Sequence, residues 1–108
     1  MEVHAVGKDF VVPDGAARLD VRRALPNPHA AIQRGELGES LGELEAWLRL
    51  DSKTSRKLDA LVERGVQASG DALYVVCFGG KHRSQVVAAL IRDRLAARAA
   101  VDATMLDG

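Results

Sequence analysis

The residues with the clearest chemical content stand together in Cys77-Phe78-Gly79-Gly80-Lys81-His82-Arg83-Ser84. Paired glycines let a backbone bend sharply and let an anion approach main-chain N–H groups with no Cβ in the way. Lys81, His82 and Arg83 offer positive side chains, and the Ser84 hydroxyl can cap a helix or donate to an oxygen. A helix starting here aims its free N–H groups and positive dipole end at the same point. The octapeptide therefore favours a phosphate-like group. It lacks the G-x-x-x-x-G-K-S/T pattern of a P-loop, but it matches Cys-x5-Arg-Ser, the pattern of cysteine-dependent phosphatases. In that alternative the Cys77 thiolate attacks phosphorus and Arg83 holds the oxygens. Against it, Val76 rather than His precedes the cysteine, and no Asp stands out as general acid. Cys77 as a small buried hydrophobe closing a strand is the preferred reading. Arg83 is expected to contact the anion, His82 to contact ligand or support the site from behind, and Lys81 to be the most solvated of the three.

Positioning that loop requires a strand before it and a helix after it. Residues 72–78 (ALYVVCF) form a continuous apolar run, as expected of a strand buried on both faces of a parallel sheet. From Ser84 onward, Val86, Val87, Leu90, Ile91 and Leu95 mark an apolar helical stripe, and residues 101–106 are expected to form a last short strand. Upstream, residues 2–6, Phe10 to Val12 and Ala17 to Ala24 lean towards β, the second stopping at Pro13-Asp14-Gly15. Leu25-Pro26-Asn27-Pro28-His29 must be a rigid loop, because its prolines cannot pair regularly. Ser40-x-x-Glu43 is a capping-box pattern opening a helix with Leu41, Leu44, Trp47 and Leu48 on one face. After a break near Asp51-Ser52, Leu58, Leu61, Val62 and Val66 mark a second helix ending around Ala68 to Gly70. The expected fold is α/β: a single domain over residues 1–108 with a mostly parallel sheet flanked by helices.

Composition narrows the function classes. The 108 residues suffice for one core, and 47% hydrophobic with 28% charged residues excludes disorder. There is no apolar run of the ~18 residues a membrane span needs and no signal-peptide pattern. With its single cysteine, the chain is expected in the cytoplasm. Fifteen basic residues balance fifteen acidic ones, which disfavours a general nucleic-acid coat, and 4% aromatics disfavours a base-stacking platform. Arg92, Arg94 and Arg98 read as a solvated helix face interrupted by Asp93.

Three segments together resemble a known family. CFGGKHRS resembles the CTGGKHRS segment of the C-terminal domain of the RapZ family of RNase adapter proteins. Asp20-Val21-Arg22 followed by Leu25-Pro26-Asn27-Pro28-His29 resembles its DVR-x-LPNPH motif with one residue inserted. Val6-Gly7-Lys8 followed by Pro13-Asp14 is similar to its SFGFKxG segment, and the resemblance spans roughly residues 3 to 98. It implies an α/β domain that binds a phosphorylated amino sugar, glucosamine-6-phosphate, and that in full-length members also binds a small regulatory RNA. Those members carry an N-terminal P-loop domain, so this chain is expected to be the C-terminal domain standing alone, with that domain or another protein as partner. The family's RPxTGxD-like segment reads Arg34-Gly35-Glu36-Leu37-Gly38-Glu39 here, and its basic tail is replaced by Met105-Leu106-Asp107-Gly108, which weakens the expectation of RNA binding. The expected function is a binding and sensing module rather than an enzyme. Gly79, Gly80, Lys81, His82, Arg83 and Ser84 would hold the phosphate, with Asn27, His29 and Arg22 at the sugar. No cofactor, metal or membrane is implied, and self-association is left open.

Overall fold

The apolar run becomes the middle of the sheet. In the computed structural model, which describes residues 1–107 with side chains through Thr104, β3 (Ala72–Val76) lies between β1 (Glu2–Val6) and β2 (Ala17–Asp20). Both pairings are parallel, with Val3 beside Leu73 and Leu19 beside Val75. Alternation sends Val3, Leu19, Leu73 and Val75 to one face, where they meet α2 (Leu41–Arg49), α3 (Ser52–Val66) and α4 (Arg83–Asp107). Over the other face lies the 7–16 connection, whose Phe10 stacks on Tyr74 at 5.1 Å, with His4 on the same ring at 4.9 Å.

Helix starts follow local chemistry. The Glu43 amide of α2 donates to Ser40 Oγ at 3.2 Å, and the Thr54 amide of α3 donates to Asp51 Oδ2 at 3.0 Å. Leu44, Leu48, Leu58, Leu61 and Val62 form the core face, and Gly65 lets α3 approach Ile91 of α4 closely. Leu41 of the expected stripe is exposed.

Four expectations change. Residues 101–106 are helical, not a strand, because α4 runs on to Asp107 through an alanine-rich stretch. Phe10 to Val12 is irregular, with Phe10 packed on Tyr74 and Val11 exposed. The strand expected over 17–24 stops at Asp20, whose carboxylate accepts the Arg22 amide at 3.0 Å and turns the chain. The rigid proline segment is a loop only to Pro28, after which α1 (His29–Gln33) begins. The crossover from β2 to β3 through α1, α2 and α3 therefore makes the βαβ unit, and α4 closes the chain's packing after the last strand.

Candidate functional site

Because the strands are parallel, their carboxyl ends share one edge, and the connections after β1, β2 and β3 meet there. The end of β1 pins the bend after β3. The Cys77 amide donates to Val6 O at 3.2 Å, the Lys8 amide donates to Phe78 O at 3.1 Å, and Gly7 bridges Gly79. Gly80 has φ +73°, and a Cβ there would lie 2.7 Å from Gly7 N and from Val6 C. Only glycine fits. A Cβ on Gly79 would meet nothing within 4 Å, so that glycine is not needed for the bend.

The bend turns its donors onto a sulfur. The Gly80 amide donates to Cys77 Sγ at 3.2 Å, and Ser84 Oγ lies 3.1 Å from the same atom, both side chains being buried. Burial pushes the Cys77 thiol up, but the Ser84 hydroxyl and the amides of Ser84, Gly80 and His82 outweigh it and hold the thiol below its ordinary value. Cys77 belongs to the hydrophobic core cluster, yet its sulfur also has two polar neighbours, the Gly80 amide and Ser84 Oγ.

Arg83, expected to reach for an anion, is 6% exposed and part of it is committed elsewhere. Its Nη1 donates to Leu25 O at 2.9 Å and Arg22 O at 3.1 Å, fixing the turn that leads into the proline segment. Its Nε and Nη2 have no protein partner among the described residues, yet no buried polar side-chain atom is orphaned there, so these atoms reach accessible space. Arg83 also borders a cleft of about 400 Å³. One wall is Cys77, Phe78, Gly79, Lys81 and His82, and the other is Asn27, His29, Ile32, Gln33 and Glu39.

The cleft gathers most of the expected residues. Gly80 and Ser84 sit behind its floor, against the sulfur. Arg22 is not among the lining residues. It forks onto Asp20, Nε to Oδ1 at 3.0 Å and Nη2 to Oδ2 at 2.6 Å, and this contact, ahead of the opposing effect of burial, pulls the Asp20 carboxyl down to about 2. Asn27 Oδ1 accepts the His29 amide at 3.1 Å, which starts α1 and leaves the Asn27 amide group for the cleft.

Glu39 was not foreseen. Its Oε1 lies 2.9 Å from His82 Nε2 across a sequence separation of 43 residues, so no local spacing announced it. Ile32 and Gln33 were likewise missed, being single residues outside any motif, and Phe78 was missed inside one, because its apolar side chain gave no sign of a binding role.

Comparison with protein-family models, curated proteins and solved structures returns no match for this chain. Among the described residues no group of three His, Cys, Asp or Glu is placed to hold a metal ion, and no helix is long and apolar enough to cross a membrane. Of the basic residues on α4, Arg92 donates through Nε to Val3 O at 3.1 Å, covering the outer edge of β1, and Arg94 pairs with Glu63 at 2.6 Å.

Proposed function

We propose that this chain is a binding and sensing module for a small phosphorylated metabolite, held in the cleft between the proline segment and the start of α4. The observation that carries this reading is the approach of two distant segments around one cavity. Asn27 and His29 stand on one side, and Lys81 with the open part of Arg83 stands on the other. Cations beside a helix N-terminus are suited to a phosphate group. Asn27, His29, Gln33 and Glu39 offer donors and acceptors to a hydroxylated or amine-bearing body. The resemblance of the same two segments to the RapZ C-terminal domain supports an amino-sugar phosphate. Occupancy would tie the 22–29 segment to α4 and so alter the surface offered to a protein partner.

The test is thermal denaturation with orthophosphate and glucosamine-6-phosphate. The sugar phosphate should raise the melting temperature, and Lys81→Ala, which alters an exposed side chain, should weaken affinity by the roughly 1.5–3 kcal/mol of a charge-assisted contact. Arg83→Lys keeps a charge while breaking the fork, and should abolish the response. A wild-type melting curve unmoved by either ligand rejects the reading.

A further inference from the structure

We propose that the cleft also turns over phosphate monoesters, with Cys77 as nucleophile, Arg83 as the clamp on the phosphoryl oxygens and the His82–Glu39 pair as proton donor to the leaving oxygen. This rests on the anion-binding reading above and adds chemistry to it. Gly80, midway between Cys77 and Arg83, takes a left-handed conformation, and its amide donates to Cys77 Sγ at 3.2 Å. Amides from Gly80, His82 and Ser84 and the Ser84 hydroxyl all favour the thiolate over the thiol. Donors that converge on a sulfur are also placed for the oxygens of a phosphoryl group attached to it.

Arg83 supplies the second, independent observation. Arg83 is 6% exposed as a residue, its Nε and Nη2 have no protein partner among the described residues, and it lines the cleft that Cys77 also lines. The bonds from Nη1 to Leu25 O and Arg22 O fix the plane of the fork, leaving its other donors oriented for two oxygens. Glu39 is the one carboxylate lining the cleft among the described residues, and it contacts His82 at 2.9 Å. A proton held between these two groups stands on the walls of the cavity in which a leaving group would lie.

The steps balance without a further co-reactant except water. The Cys77 thiolate attacks phosphorus, the S–P bond forms, and the P–O bond to the leaving group breaks. That oxygen keeps the electron pair and takes the proton from the His82–Glu39 pair. The deprotonated pair then removes a proton from water, whose oxygen attacks phosphorus. The S–P bond breaks with its electron pair returning to Sγ, and orthophosphate departs while Ser84 donates to the restored thiolate.

The experiment uses the full chain with p-nitrophenyl phosphate, alongside orthophosphate binding measured by thermal shift. Turnover is expected, with a fall of about 1,000-fold or more in Cys77→Ser, as for loss of other nucleophiles. Should Cys77→Ser fold poorly, alkylation of the wild-type protein at its single cysteine replaces it: alkylation should stop turnover, and orthophosphate should slow the alkylation. Glu39→Gln should slow an alkyl phosphate more than the aryl ester, whose leaving oxygen needs no proton. Orthophosphate binding without p-nitrophenolate release, or turnover that survives both treatments of Cys77, overturns the phosphatase proposal and leaves the binding module standing. Absence of turnover together with a melting curve unmoved by both orthophosphate and glucosamine-6-phosphate overturns the two together.

Discussion

The two halves of α4 use similar side chains in opposite circumstances. From Arg83 to Leu95 the helix lies against the sheet and α3, with Val86, Val87, Ala88 and Ile91 fully or almost fully buried. From Ala96 to Thr104 every side chain is exposed. The packed half carries the candidate site at its first turn, because a loop that aims amides at one sulfur needs a helix that cannot shift. Among the described residues the distal half is held by its backbone bonds, the bond from Thr104 Oγ1 to Ala100 O at 2.9 Å, and the propensity of Ala96, Ala97, Ala99, Ala100 and Ala103. Precision at the site thus comes from tertiary packing of the first half, and no side chain from Ala96 to Thr104 lines the cleft.

Substitutions on either side should break or sharpen that contrast. Ile91→Ala, at a side chain with no exposed surface, should cost about 2–5 kcal/mol and lower the denaturation midpoint without changing the slope. A cost under about 1 kcal/mol would mean the first half is not held by packing. Gly65→Ala should cost about 1–3 kcal/mol, since the new methyl group meets the flexible end of Ile91 rather than fixed backbone.

At the sheet edge the contrast is electrostatic. With its folded value held at about 2 by the Arg22 fork, Asp20 contributes stability that is fully present above its unfolded value. That contribution is lost as pH falls through about 2. Asp20→Asn should therefore cost on the order of 1–2 kcal/mol at neutral pH, after discounting for solvent at the half-exposed Arg22, and the gap to wild type should close near the acid limit. Equal gaps across the acid range would show that the turn, not the charge, is what Asp20 supplies. Smallest of all, Ala100→Gly should cost at most about 1 kcal/mol. Its effect should be faster hydrogen exchange in the amides around it, with the global melting temperature nearly unmoved. A large drop in melting temperature would mean that something packs on the distal half after all.

Much of the fold was legible because its signals are local. The run over residues 72–78 announced an inner strand, which ends two residues earlier at Val76, Ser40 with Glu43 announced the start of α2, and the segment Gly79 to Ser84 announced a bend opening a helix. Where local preference was weak, tertiary context decided. A short strand was expected over residues 101–106, yet the alanine-rich stretch before them extends a helix that was already nucleated.

The candidate site divides along the same line. By itself the sequence determined which residues follow the inner strand, that glycine occupies the tight bend, and that cations gather at a helix start, since these depend on neighbours within one turn of chain. Only the tertiary structure decided that Gly80, His82 and Ser84 surround a sulfur, that Arg83 spends Nη1 on carbonyls 58 and 61 residues away, and that Glu39 meets His82. The physical reason is reach. A long side chain goes to whichever unsatisfied partner folding brings near, and no spacing along the chain records which one that will be.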